Sequence, residues 1–229
     1  MQKLILVYIT LFLLVSCHNE KRHETIGGGY GIGEKQRDSR IGYWKFYRSD
    51  NSLEAEGSFK NNKETGSWTF WEQNGTVLEV SEWKEGQLHG NYKSFFNSGN
   101  SKEIGDFYFG KRDGQWSTYF PNGKIESHGL FVQDLKQGNW KFYHQNDQLS
   151  EQIDFTDNLK DGHSIAWYDN GVKKSEGDFI TDVKQGEWIY WYDDGKIQDI
   201  SNWKSGRLNG SSISYHKVGG KDFEGDFLD

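Results

Sequence analysis

The sequence predicts an all-β protein: an elongated, single-layer, twisted antiparallel sheet of eight stacked 24-residue β-hairpin repeats. Three observations point there. Glycine recurs at Gly42, Gly66, Gly90, Gly114, Gly138, Gly162, Gly186 and Gly210, every step 24 residues long. Two further positions of each unit are aromatic throughout. Between those two lies a turn signal, clearest at Asn122-Gly123, and no unit shows a convincing amphipathic helix.

Composition sets the frame. The chain has 229 residues, only 34% of them hydrophobic, yet 16% aromatic, with 28 Gly and one Pro. Low hydropathy alone would favour disorder. The rings argue otherwise, because a modest number of large aromatic side chains can supply most of the apolar burial of a thin sheet. The net charge of −7 argues against the basic face that a nucleic-acid partner needs.

Residues 1–16 read as a signal peptide. Lys3 gives a positive start, and Leu4–Val15 is an apolar run of 12 residues, too short to span a bilayer. The run closes on Leu14-Val15-Ser16-Cys17, which resembles a bacterial lipobox. That resemblance implies cleavage before Cys17, lipid attachment to it, and membrane association through the N-terminal lipid. Cys17 is the only cysteine, so none is left for a disulfide. His18 follows it rather than Asp, which under the sorting rule of some diderm bacteria favours the outer membrane, on its periplasmic or surface side. Residues 17–41 read as a lipid-anchored flexible tether. Their IGGGYGIG stretch has neither the G-x-G-x-x-G spacing nor the strand–helix setting of a dinucleotide site.

Residues 42–229 make up the repeat domain, with units starting at the eight glycines. With that glycine as position 1, position 3 carries Trp44, Trp68, Trp116, Trp140 and Trp188, and Tyr92, Ser164 and Ser212 in the other units. Position 18 carries Phe59, Trp83, Phe107, Phe131, Phe155, Phe179, Trp203 and Phe227. Position 6 is aromatic in all eight units, among them Phe95, Tyr119, Trp167 and Trp191. All ten tryptophans fall at positions 3, 6 or 18.

Residues 116–131, WSTYFPNGKIESHGLF, read as a hairpin around a type I′ turn at Asn122-Gly123, since both residues tolerate positive φ. This register sets position 3 opposite 16 and position 1 opposite 18. Position 16 is small in seven units, so Trp116 is expected across Gly129 and Phe131 across Gly114, rings shielding cross-strand glycines. Alternation puts positions 1, 3, 5, 16 and 18 on one face and 4, 6, 13, 15 and 17 on the other. A bulge would move position 6 to the first face, and the sequence leaves both placements open. In the last unit Ser212 replaces Trp, and Asp222, Glu224, Asp226 and Asp229 cluster, as suits a polar capping repeat.

The pattern G-x-W-x-x-Y-x-x-x-G followed by a small residue and Phe resembles MORN repeats, and more closely the bacterial MORN-repeat-variant family. GQWSTYFPNGKIESHGLF and GEWIYWYDDGKIQDISNW carry the likeness, which spans all eight units. Ser164 and Ser212 depart from it at the Trp position, Asn51 and Asp147 at the turn glycine. The resemblance implies stacked hairpins about 4.8 Å apart per strand, so that sixteen strands extend roughly 75 Å. Proteins of this family often carry the label of antitoxin component.

Catalytic and metal chemistry find no footing. The seven histidines make no H-x-H or H-E-x-x-H spacing, and no G-x-S-x-G or D-x-D-x-D-G run occurs. Asp134, Asp157, Asp161 and Asp182 read as solvated turn residues. No enzyme activity, cofactor or metal is expected. The rings are the serious candidates. As core they explain themselves, there being nothing else to bury. As binding groups, Phe95, Tyr119, Trp167, Tyr168, Trp191 and Tyr192 stand out, because adjacent rings such as Trp167-Tyr168 point to opposite faces. The expected function is a non-enzymatic, lipid-anchored envelope protein whose sheet is a protein-binding scaffold. Glycan binding through the aromatic ladders and an antitoxin-like role are the alternatives.

Overall fold

The computed structural model describes residues 21–25 and 28–228. The expected signal peptide and Cys17 lie outside them. The described chain is all β, a single 19-stranded sheet with every pairing antiparallel. Its strands are β1 (Lys21–Glu24), β2 (Tyr30–Gln36), β3 (Ser39–Tyr47), β4 (Leu53–Lys60), β5 (Lys63–Trp71), β6 (Val77–Lys84), β7 (Gln87–Phe95), β8 (Ser101–Tyr108), β9 (Lys111–Arg112) and β10 (Gly114–Tyr119). They continue as β11 (Ile125–Val132), β12 (Leu135–Tyr143), β13 (Leu149–Thr156), β14 (Leu159–Trp167), β15 (Lys173–Ile180), β16 (Val183–Trp191), β17 (Ile197–Lys204), β18 (Arg207–Tyr215) and β19 (Lys221–Phe227). Each strand pairs with the next, except that β9 and β10 are two halves of one strand, interrupted at Asp113 and both laid against β8. Strand spacing of about 4.8 Å makes the open ladder roughly 85 Å long before twist.

The hairpin register within a unit follows the sequence reading: Trp116 pairs with Gly129, and Gly114 with Phe131. The turn differs. Phe120 N–H donates to the Lys124 carbonyl at 2.8 Å and Gly123 N–H to the Phe120 carbonyl at 2.9 Å. Gly123 alone of the loop has positive φ, at 85°. This is a three-residue loop, a type I turn closed by a left-handed residue, and not the expected type I′ turn. Its cause lies one step inward. Thr118 pairs with Ser127 but Tyr119 with Ile125, so Glu126 is an extra, bulged residue. Where the turn glycine is missing, Asn51 and Asp147 adopt the same left-handed conformation, at φ 67° and 73°; a short polar side chain tolerates it.

Type I′ geometry occurs instead between units. Both central residues have positive φ at Asn61-Asn62, Gln133-Asp134 and Asp157-Asn158, joining 8- and 9-residue strands. These tips stack along one edge of the ladder. Asn62 Oδ1 accepts from Arg40 N–H at 2.7 Å, and Asn158 Oδ1 from Lys136 N–H at 2.7 Å.

The segment read as a flexible tether is not one over its described residues. It contains β1, β2 and the start of β3. Gly33 lies 24 residues before Gly57 and beneath Trp44, so β2 is the second strand of a further, incomplete unit. Lys35 stands where that unit would carry its second aromatic residue, which hides the phase. Both edges are short or charged: β1 reads KRHE and β19 KDFEGDF, a defence against edge-to-edge pairing.

Candidate interaction faces

The tryptophan face comes first, because its packing decides what is left to bind. Trp44 is 1% exposed, and Trp68, Trp116, Trp140 and Trp188 are at most 3% exposed. Each lies over the position-16 glycine of the preceding unit, not that of its own hairpin. A Cβ on Gly33, Gly57, Gly105, Gly129 or Gly177 would come within 2.4 Å of the next unit's indole. Each of these indoles also donates Nε1–H across the same seam, Trp140 to the Leu130 carbonyl at 3.1 Å and Trp68 to that of Ser58 at 3.2 Å. The preceding unit's position-18 ring meets the indole edge-on, Phe131–Trp140 at 4.9 Å and 76°, Phe179–Trp188 at 4.9 Å and 77°.

The seam is reciprocal. Wherever position 3 is not Trp, the residue beneath it is not Gly: Ser81 pairs with Tyr92, Ile153 with Ser164, and Ser201 with Ser212. Ile153 is 0% exposed, filling the space the indole leaves at Ser164. Ser81 and Ser201 have a second task. Ser81 Oγ accepts from Trp83 Nε1–H at 2.9 Å and donates to Glu79 at 2.7 Å; Ser201 does the same between Trp203, at 3.1 Å, and Asp199, at 2.6 Å. Both units with Trp at position 18 thus need a hydroxyl at position 16. Burial, with Glu79 next, pushes the nearby Tyr92 hydroxyl up to about 12.

Cations close this face from outside. Arg40 sits 3.9 Å over the Phe59 ring, Arg112 3.9 Å over Phe131, Lys136 4.5 Å over Trp140, and Lys184 4.6 Å over Trp188 and 4.7 Å over Trp203. Burial, then Arg112, hold the Lys136 ammonium below the ordinary lysine value. The face is a capped core, and a ligand would have to displace the caps to stack on it. Phe107, Phe179, Phe227, Trp83 and Trp203 are half-buried; Phe59, Phe131 and Phe155 are buried.

Position 6 stays on the opposite face, because the bulge falls on the facing strand. Its rings, with those next to them, are half-buried: Phe95, Tyr119, Trp167, Tyr168, Trp191 and Tyr192. Two of these also brace the loops. Tyr168 donates its hydroxyl to the Trp191 carbonyl at 2.9 Å, and Tyr192 to that of Tyr215 at 2.7 Å. Down this second face runs one column of cross-strand partners. It is polar near the N-terminus, Lys45–Glu56–Thr69, and becomes Ile189–Ile200–Ile213 near the C-terminus. Trp191 pairs there with Ile197, which is 40% exposed. The isoleucines do not stand out in the sequence because positions 4 and 15 are charged or polar in most other units, Val80, Ile104 and Ile165 being the exceptions.

The histidines are engaged singly. His163 meets Asp178 through Nδ1 at 2.9 Å and Glu176 through Nε2 at 3.2 Å, so the carboxylates flank the ring and do not converge. His128 meets the Tyr143 hydroxyl at 3.1 Å. Among the described residues no group of three or more His, Cys, Asp or Glu could hold a metal ion.

An open ladder of hairpins, each keyed to the one before, defines a β-repeat protein. The MORN repeat variant model matches residues 112–133, 136–157 and 184–205, so three of the units are repeats of that kind. No curated protein matches the chain. Among solved structures, the one titled "Crystal Structure of TcdB2-TccC3-Cdc42" is similar over 82% of this chain and 13% of that one, at 8% identity and a TM-score of 0.20.

Proposed function

We propose that this chain is a non-enzymatic, lipid-anchored envelope protein that uses its sheet to hold another protein. The observation carrying the proposal is the contrast between the two faces. One is sealed by its own indoles and cations. The other gathers Ile189, Ile200 and Ile213 beside Trp191 and leaves them half-exposed at the C-terminal end. Three apolar side chains in a row, at one end of a column that elsewhere in the eight units carries only the single apolar groups Val80, Ile104 and Ile165 among polar ones, mark a protein interface. Cys17 supplies the anchor, and repeat proteins of this kind serve protein or membrane interaction.

The test is affinity isolation of the full lipidated chain from membranes, beside Ile200→Asp and, as a control on the same face, Lys45→Ala. One species retained by the parent and the control but lost with Ile200→Asp supports the reading. Recovery of nothing above background, or equal recovery by all three, rejects it.

Glycan binding has one supporting observation. Trp167 and Trp191 occupy the same position in consecutive units, two strand steps or about 10 Å apart, a spacing near the length of a disaccharide. Quenching of tryptophan fluorescence by soluble envelope glycans checks it, and a flat titration dismisses it.

A further inference from the structure

We infer that the N-terminal edge of the ladder rests on an anionic bilayer surface and holds the sheet upright, its C-terminal end pointing away. The inference builds on the proposed lipid at Cys17. Two independent observations carry it.

The first is a short leash. With β1 beginning at Lys21, only residues 18–20 separate it from Cys17. Four Cα steps reach about 14 Å at full extension. A long tether would let the sheet take any pose; this one holds the first strand at the headgroups.

The second is the division of charge. Residues 21–48 hold seven Lys and Arg against three Asp and Glu, a net of +4. Residues 49–229 hold nineteen against thirty, a net of −11. At the edge where the chain leaves for the lipid, residues 21–38 hold four Lys and Arg against Glu24, Glu34 and Asp38, and Arg40, Lys45 and Arg48 follow on and just past β3. Lys21 pairs opposite Gly33, Lys35 opposite Arg40, and Arg37 is in the turn between β2 and β3. Lys21, Lys35 and Arg37 are exposed and make no ion pair among the described residues. His23, also on β1, is held below its ordinary value first by burial and next by Lys35, with Lys21 adding to it, so Lys21 and Lys35 share one small region. A ladder leashed at one end can lie flat or stand. Lying flat brings the acidic repeats within a Debye length, about 8 Å, of anionic headgroups; standing brings only the basic edge there.

The experiment uses the full lipidated chain in vesicles containing phosphatidylglycerol. Lipidation consumes the Cys17 thiol, so Gln36→Cys and Val218→Cys can each carry one donor dye, with an acceptor on the lipid headgroups. Strong transfer from residue 36 and weak transfer from residue 218 is the expected result. The contrast should shrink for K21E/K35E/R37E and in phosphatidylcholine vesicles. Equal transfer from both sites, or a contrast indifferent to lipid charge and to the triple variant, overturns the upright pose while leaving the anchor intact. A parent chain of unacylated mass whose Cys17 can still be alkylated overturns the anchor and the pose together.

Discussion

The indole of Trp140 lies so close over Gly129 that a Cβ there would sit 2.2 Å from ring atom Cδ2. Gly129→Ala must therefore push the ring off the sheet and break its hydrogen bond to Leu130, at a cost of about 2 kcal/mol or more. Gly138→Ala is a control of a different kind. A Cβ there meets nothing, but φ is 62°, so only backbone strain of about 1 kcal/mol is expected. Denaturant unfolding should rank Gly129→Ala well below Gly138→Ala; the reverse order would refute the packing account.

Ile153 and Ser164 are the reciprocal arrangement. Ser164→Trp alone should overpack the seam, and Ile153→Gly alone should open a cavity worth roughly 3 kcal/mol or more. Together they recreate the Gly–Trp pair of the neighbouring seams. A favourable coupling of about 2 kcal/mol is expected from the double-mutant cycle, and simple additivity would contradict it.

Ser81→Ala removes the acceptor for Trp83 and the donor to Glu79 at a site 0% exposed. The loss should be about 1–3 kcal/mol. Adding Trp83→Phe should return part of it, because the orphaned N–H disappears. Thermal melts of the two variants decide the matter.

His163 has its pKa raised, first by the hydrogen bond with Asp178 and then by Glu176. A raised folded value means that its stabilising contribution is complete below the unfolded value of 6.5 and fades as pH climbs through the folded one. Imidazole chemical shifts should give a midpoint above 6.5, lowered in Asp178→Asn. A midpoint at or below that figure in the parent would rule the pairing out.

Much of the fold was legible because the repeat is written in glycine and tryptophan, the residues least replaceable in a sheet of this kind. The period, the pairing of Trp116 with Gly129 and the single-layer architecture could all be read from residue spacing. The direction in which Trp116 leans could not. Pairing partners and packing partners differ here, and its ring covers Gly105 of the preceding unit. The type I′ turns were hidden at Asn61-Asn62 and Asp157-Asn158, while Asn122-Gly123 offered the louder local signal for a different turn. The incomplete first unit was missed because Lys35 masks its phase. On the second face, alternation already places Ile189 and Ile200 at positions 4 and 15; only the place of Trp191 beside them waited on the bulge.

The reciprocal seam restricts how such a gene can gain or lose copies. Unequal recombination that excises residues 114–137 would bring Trp140 onto Gly105, a fitting junction, and should yield a shorter but foldable product. Excision of residues 162–185 would instead drop Trp188 onto Ile153, and the offspring should fail. Copy number in this lineage is thus governed by which neighbours can be spliced together, and the three seams without tryptophan act as punctuation in that inheritance.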